Sequence, residues 1–120
     1  MSSEFRQLVN DTCRALPGAE HSDPWGGGHD AWKICEKMFA SIGAKSDGVS
    51  VKTDSIETAA MLIDAGVGVK APYFHRSWLH LLPGTDAGEL RHRIHTSYDI
   101  VRSGLPKKKT ADLPQREGAE

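Results

Sequence analysis

The chain is poor in cysteine, in long apolar runs and in net charge, and each shortage removes a class of protein. Its two cysteines, Cys13 and Cys35, stand in no metal-binding or redox spacing. Cys13 falls on a helical pattern and Cys35 on a strand pattern, so both read as small structural thiols that do not pair with each other. No apolar stretch approaches the roughly 20 residues that a membrane-spanning helix requires. The opening Met1-Ser2-Ser3-Glu4 lacks the charged start and apolar segment of a secretory signal. A cytoplasmic protein with no membrane contact is the expectation. A net charge of −1 argues against a protein held to DNA by bulk electrostatics.

What is present suits one core. A chain of 120 residues matches the usual size of a single domain, here residues 1–106, followed by a polar, frayed tail over 107–120. Charge is distributed unevenly. Residues 1–65 hold 6 Lys/Arg and 10 Asp/Glu, whereas residues 66–109 hold 8 and 3. Four of the six histidines, His75, His80, His92 and His95, fall in the basic stretch. Such a stretch is either ordinary solvated surface or a basic face on an otherwise neutral domain.

The periodicities predict three helices and a run of strands. Phe5, Leu8, Val9, Thr12 and Leu16 recur at three- and four-residue steps, the stripe of a helix from Glu4 to Leu16 with Ser3 as its N-cap and Pro17-Gly18 as its stop. Ala31–Cys35, Met38–Ile42 and Val49–Lys52 read as short strands, with turns at Glu36-Lys37 and 43–48; His21–Trp25 is a further candidate before the glycines at 26–28. Connections this short imply an antiparallel meander. A second helix starts near Ser55 behind a capping-box-like Asp54-x-x-Glu57 and closes at Gly66. After an extended piece (67–71) and a loop around Pro72-Tyr73, a strand covers Trp78–Leu82. The third helix runs from Thr85 or Asp86 to about Ser103. The order predicts an α+β fold of two layers, an antiparallel sheet with helices packed on one face.

Several segments stand together in a familiar order: Leu16-Pro17-Gly18-Ala19-Glu20, Lys37-Met38-Phe39-Ala40, Val51-Lys52, Trp78-Leu79-His80-Leu81, Ser97-Tyr98-Asp99-Ile100-Val101 and Leu105-Pro106-Lys107-Lys108. In order and spacing, over residues 5–108, the chain resembles the MmcQ/YjbR family. The resemblance implies a compact α+β domain related to secretion-chaperone-like and frataxin-like folds. It also brings the family's description as DNA-binding, with a double-wing arrangement of hairpins, and it supplies no catalytic residues.

Candidate contacts with nucleic acid lie in the basic stretch. Lys107, Lys108 and Lys109 follow the third helix, where cations also complement the helix dipole. Arg91, His92, Arg93, His95 and Arg102 are assigned to that helix's polar side. With Lys70 and Arg76 they would make a phosphate-tracking surface. Tyr73, Phe74 and Trp78 are near enough in sequence to stack on unpaired bases, although a mid-strand Trp78 is more simply a core residue. Four or five phosphate contacts would give a salt slope of roughly −4 and micromolar affinity.

Other chemistries find little support. Glu89, His92 and His95 spread about 120° around a helix at 100° per residue, so a complete metal site would need a further ligand, from His75 or His80. His21, Asp23, His29 and Asp30 around the glycines match no zinc spacing. Glu4 and Asp11 alone do not make the acidic ridge that frataxin-like metal handling requires. The three glycines lack the lysine of a phosphate loop and suit a hairpin tip. There is no nucleophile elbow and no cysteine paired with a base. The expectation is therefore a non-enzyme without cofactor or metal that binds DNA weakly. The alternative is a protein-interaction or chaperone-like module using an exposed sheet face. Monomer and homodimer are both compatible with the sequence.

Overall fold

In a computed structural model, which describes residues 2–23, 28–43, 48–72 and 74–116 (with no account of the side chains of Ser2 and Ser3), the elements follow the expected order. They are α1 (Ser2–Arg14), β1 (Ala19–Ser22), β2 (Asp30–Ile34), β3 (Lys37–Ile42), β4 (Val49–Lys52), α2 (Ile56–Asp64), β5 (Val69–Lys70), β6 (Trp78–Leu81), α3 (Ala87–Ser103) and α4 (Lys107–Thr110). The six strands form one antiparallel sheet in the order β1-β2-β3-β4-β6-β5. The first four strands are the expected meander. β6 then pairs directly with β4, and the two-residue β5 is added outside it. The sheet is layered against helices on one side, the two-layer α+β architecture expected from the sequence.

Strand register decides which residues meet the helices. His21, Trp32, Ala40, Val51, Leu79 and Lys70 lie in one row across the sheet, and Ser22, Ala31, Ser41, Ser50, His80 and Val69 lie in the next. Successive side chains point to opposite faces, so Trp32, Ala40, Val51 and Leu79 turn to the core. They are buried there with Val9 and Cys13 of α1, Leu62 of α2, and Leu90, Ile94 and Tyr98 of α3. Phe39 joins them through a bulge. Trp32 pairs with Ala40 and Lys33 with Met38, which leaves Phe39 as the extra residue of β3. Its ring meets Tyr98 edge-on at 5.4 Å. Each such fully buried apolar side chain contributes about 1.5–3 kcal/mol.

Several local boundaries differ from the sequence reading. Ser3 lies inside α1 rather than capping it. Ser55, not Asp54, caps α2, its hydroxyl accepting from the Thr58 amide at 3.0 Å. Asp86 caps α3 by accepting from the Gly88 and Glu89 amides. The β2–β3 turn falls at Cys35-Glu36, whose φ values of 48° and 69° are the left-handed pair of a two-residue hairpin. Neither residue announces that turn as Asn-Gly would. β1 begins at Ala19 instead of His21. Trp25, Gly26, Gly27, Tyr73 and the centre of the 43–48 turn lie outside the described residues. Cys13 and Cys35 are free thiols.

Residues 107–116 are not a frayed tail. Lys107–Thr110 form α4, Leu113 packs on the core, and Arg116 pairs with Asp99 of α3. Leu113 fits because Gly18, at φ +75°, leaves the space: a Cβ there would stand 2.9 Å from Leu113 Cδ1. Among the described residues no helix is long and apolar enough to cross a membrane.

Candidate functional site

The stretch between β5 and β6 builds a cavity. β6 spends Leu79 and Leu81 on the core, so Trp78 and His80 turn the other way. Trp78, expected in the core from its mid-strand position, is therefore half-buried and stacks on Phe74, with ring centroids 4.4 Å apart and planes inclined by 20°. Neither ring belongs to the core cluster. The pair lines a cavity of about 280 Å³ whose apolar wall comes from Ile56, Ala60 and Ile63 of α2. Lys70, Ala71, His75 and Arg76 also line it, and among the described residues no carboxylate does.

The loop that carries these groups is fixed by its own hydrogen bonds. His75 Nδ1 accepts from the Ser77 amide at 3.1 Å and lies 2.9 Å from the Ser77 hydroxyl. Thr53 closes the other side: its amide and hydroxyl both donate to the Ser77 carbonyl, at 2.8 and 2.6 Å. Lys52 stands opposite Trp78 in the β4–β6 ladder, so its side chain rises on the same face as the indole. Lys52 was not among the sequence candidates. Only the antiparallel register of β4 with β6 brings it to Trp78, and nothing local in the sequence carries that register.

The remaining candidates are dispersed. Lys70 and Arg76 share the cavity. Arg102 is committed inside the fold: it donates to the Tyr98 hydroxyl and to the carbonyls of Leu113 and Pro114 at 2.8–3.0 Å. Arg91 is exposed on α3. Lys107, Lys108 and Lys109 are exposed on α4, which lies at the β2–β3 turn, where Cys35 Sγ meets the Lys109 carbonyl at 3.7 Å. From β2 to β5 there are four strand spacings, about 19 Å at the usual separation. The eight cations of residues 66–109 therefore do not form one continuous track.

The histidine groups have other partners. Glu89 is held by Arg93 at 2.5 Å. Burial holds His95 below its ordinary range, helped by the charges of Arg116, His92 and Arg91 and opposed by Asp99. Asp30 accepts from His21, Arg6 and Asn10 at 2.5, 2.6 and 3.2 Å. Asp23 closes its loop by accepting from the Gly28 and His29 amides. Among the described residues no group of three or more His, Cys, Asp or Glu is placed to hold a metal ion.

Known proteins place this arrangement in a family. A family model described as YjbR matches residues 14–100. The chain belongs to the YjbR family. The YjbR fold is shared by a crystal structure of the Deinococcus radiodurans protein DR2400, whose domain carries the family name DUF419. It superposes with a TM-score of 0.79 over 93% of this chain and 91% of that one, at 22% sequence identity. No curated protein matches this YjbR chain.

Proposed function

We propose that this YjbR protein is a non-enzymatic binding module that takes nucleic acid weakly at the β5–β6 cavity. The observation that carries the reading is the meeting of Lys70 and Arg76 with the Phe74–Trp78 stack in one cavity, where no carboxylate among the described residues joins the lining. Cations without a competing acid attract phosphate, and aromatic faces accept bases of any sequence. Arg102 is left out of the contact because both of its terminal nitrogens already donate within the fold.

This smaller set of cations changes the expected salt dependence. Two or three phosphates neutralised by Lys70, Arg76 and the neighbouring Lys52 give a slope of roughly −1.4 to −2.1 on a single strand, in place of the steeper value anticipated from the whole basic stretch. Binding to single-stranded DNA, RNA, duplex DNA and heparin, titrated with salt, tests the reading. Weak binding with a shallow slope, reduced by changing Lys70 and Arg76 to Ser, is the expected result. No binding to any nucleic acid at low salt would overturn it.

A protein-interaction role has its own support. Val69 and Leu82, two of the exposed large apolar side chains, flank His80 on the edge side of the sheet. Retention of an apolar peptide in the same assay, with no retention of nucleic acid, would favour that role.

A further inference from the structure

The cavity's size and composition narrow what it can take. Its volume of about 280 Å³ lies just under the range of roughly 300–1,000 Å³ usual for small-molecule sites. Phe74 and Trp78 are packed against each other nearly in parallel, so nothing inserts between them, and the pair offers outer aromatic surface beside the apolar wall of α2. A flat, weakly polar group is the complement of that surface. Lys70 and Arg76 in the same lining add a requirement for negative charge attached to the flat group.

A nucleotide meets both conditions, with base and phosphate in one unit. In a duplex the base faces are covered by their stacked neighbours, and only phosphates remain to be offered. We infer that the cavity takes one unpaired nucleotide, its base on the Phe74–Trp78 pair and its phosphate on Lys70 or Arg76, and so separates single-stranded from duplex nucleic acid. The inference rests on the nucleic-acid reading above and adds the identity of the unit that is bound.

The two claims fail differently in one set of anisotropy titrations at low salt. The probes are a labelled single-stranded oligothymidylate, the same strand with abasic sites, and the corresponding duplex. The intact strand should bind on the order of 10-fold more tightly than the abasic strand, the scale of one base–aromatic stack. Phe74→Ala and Trp78→Leu should each bring the intact strand down toward the abasic level while leaving the salt slope unchanged. Both rings lie outside the core cluster, so the variants should keep the fold, and Phe74→Tyr should restore binding. Lys70→Ser with Arg76→Ser should do the opposite, lowering the slope while keeping the preference for intact over abasic strand. Competition by a free mononucleotide, but not by inorganic phosphate, would assign the site to nucleotides generally; competition by longer strands alone would assign it to polymer. Equal affinity for intact and abasic strands would overturn the one-nucleotide site and leave nucleic-acid binding standing. No binding of any strand would overturn both.

Discussion

Arg116 and Asp99 form a two-pronged ion pair, Nε to Oδ1 at 2.9 Å and one terminal nitrogen to Oδ2 at 2.8 Å, that ties the end of the described chain to the C-terminal part of α3. Arg102 reinforces it by donating to the Leu113 and Pro114 carbonyls. Leu113 itself sits over Gly18. The segment after α4 thus acts as a clasp across α3 and the α1–β1 corner.

Ending the chain at Asp112 should therefore destabilise the domain. The lost Leu113 burial and the lost ion pair together amount to about 2 kcal/mol, on the order of 8 °C in midpoint for a domain of this size. Arg116→Ala alone should cost less, about 0.5–1 kcal/mol, because Asp99 is partly exposed to solvent. A thermal melt of the shortened chain that matches the full chain would show that the clasp is passive.

Ser97 is a second tie. Its hydroxyl donates to the Phe39 carbonyl at 2.6 Å and accepts from the Lys52 amide at 2.8 Å. β3 and β4 pair at Ala40–Val51 and Ser41–Ser50; at the next position the α3 side chain bonds both backbones in place of a direct pairing. Ser97→Ala should leave both groups unsatisfied in a fully buried place, a loss of about 1–3 kcal/mol. Chemical denaturation measures this directly, and a loss within about 0.5 kcal/mol, the usual size for an uninvolved surface site, would contradict it.

Asp30 makes stability depend on pH. Burial pushes its carboxyl up, but the hydrogen bonds from His21, Arg6 and Asn10, with the charge of Arg6, outweigh burial and hold it below the usual carboxylate range. A depressed carboxyl contributes stability that is present above the unfolded-state value, about 3.9, and that is lost as pH falls through the lower folded-state value. Asp30→Asn should lower the melting temperature at neutral pH, and the gap to the parent protein should close in strong acid. A gap that stays constant down to that acid range would remove Asp30 from the acid response.

Much of the fold was legible in the sequence, and the reasons are local. Val49-Ser50-Val51-Lys52 alternates as a strand does, although Ser50 is buried against His80 instead of facing water, and the stripe of Leu90, Ile94, Ser97 and Tyr98 gave α3 its buried face. What escaped was long-range or lacked a local mark. The Cys35-Glu36 turn uses left-handed backbone without glycine, and the Phe39 bulge follows from pairing with β2. The clasp depends on Gly18 meeting Leu113, residues far apart in the chain.

The candidate site divides in the same way. Lys70 and Arg76 were found from charge, and Phe74 and Trp78 from ring type. That these four share one cavity, that Lys52 joins Trp78, and that Arg102 turns inward all follow from strand register and packing. Charge density along the chain weighted Lys107, Lys108 and Lys109 most heavily, and they stand at the β2–β3 end of the molecule.

The most direct test of the β5–β6 site is an amide NMR titration of the full chain with a short single-stranded oligonucleotide at low salt. Shifts should concentrate on Ile56, Ala60 and Ile63 of α2, on Lys70 and Ala71 and on residues 74–78, with the indole N–H of Trp78 among the largest, and should leave α4 unmoved. Shifts centred on Arg91 and Lys107–Lys109 instead, or a spectrum unchanged by the oligonucleotide, would contradict the assignment of binding to the Phe74–Trp78 cavity.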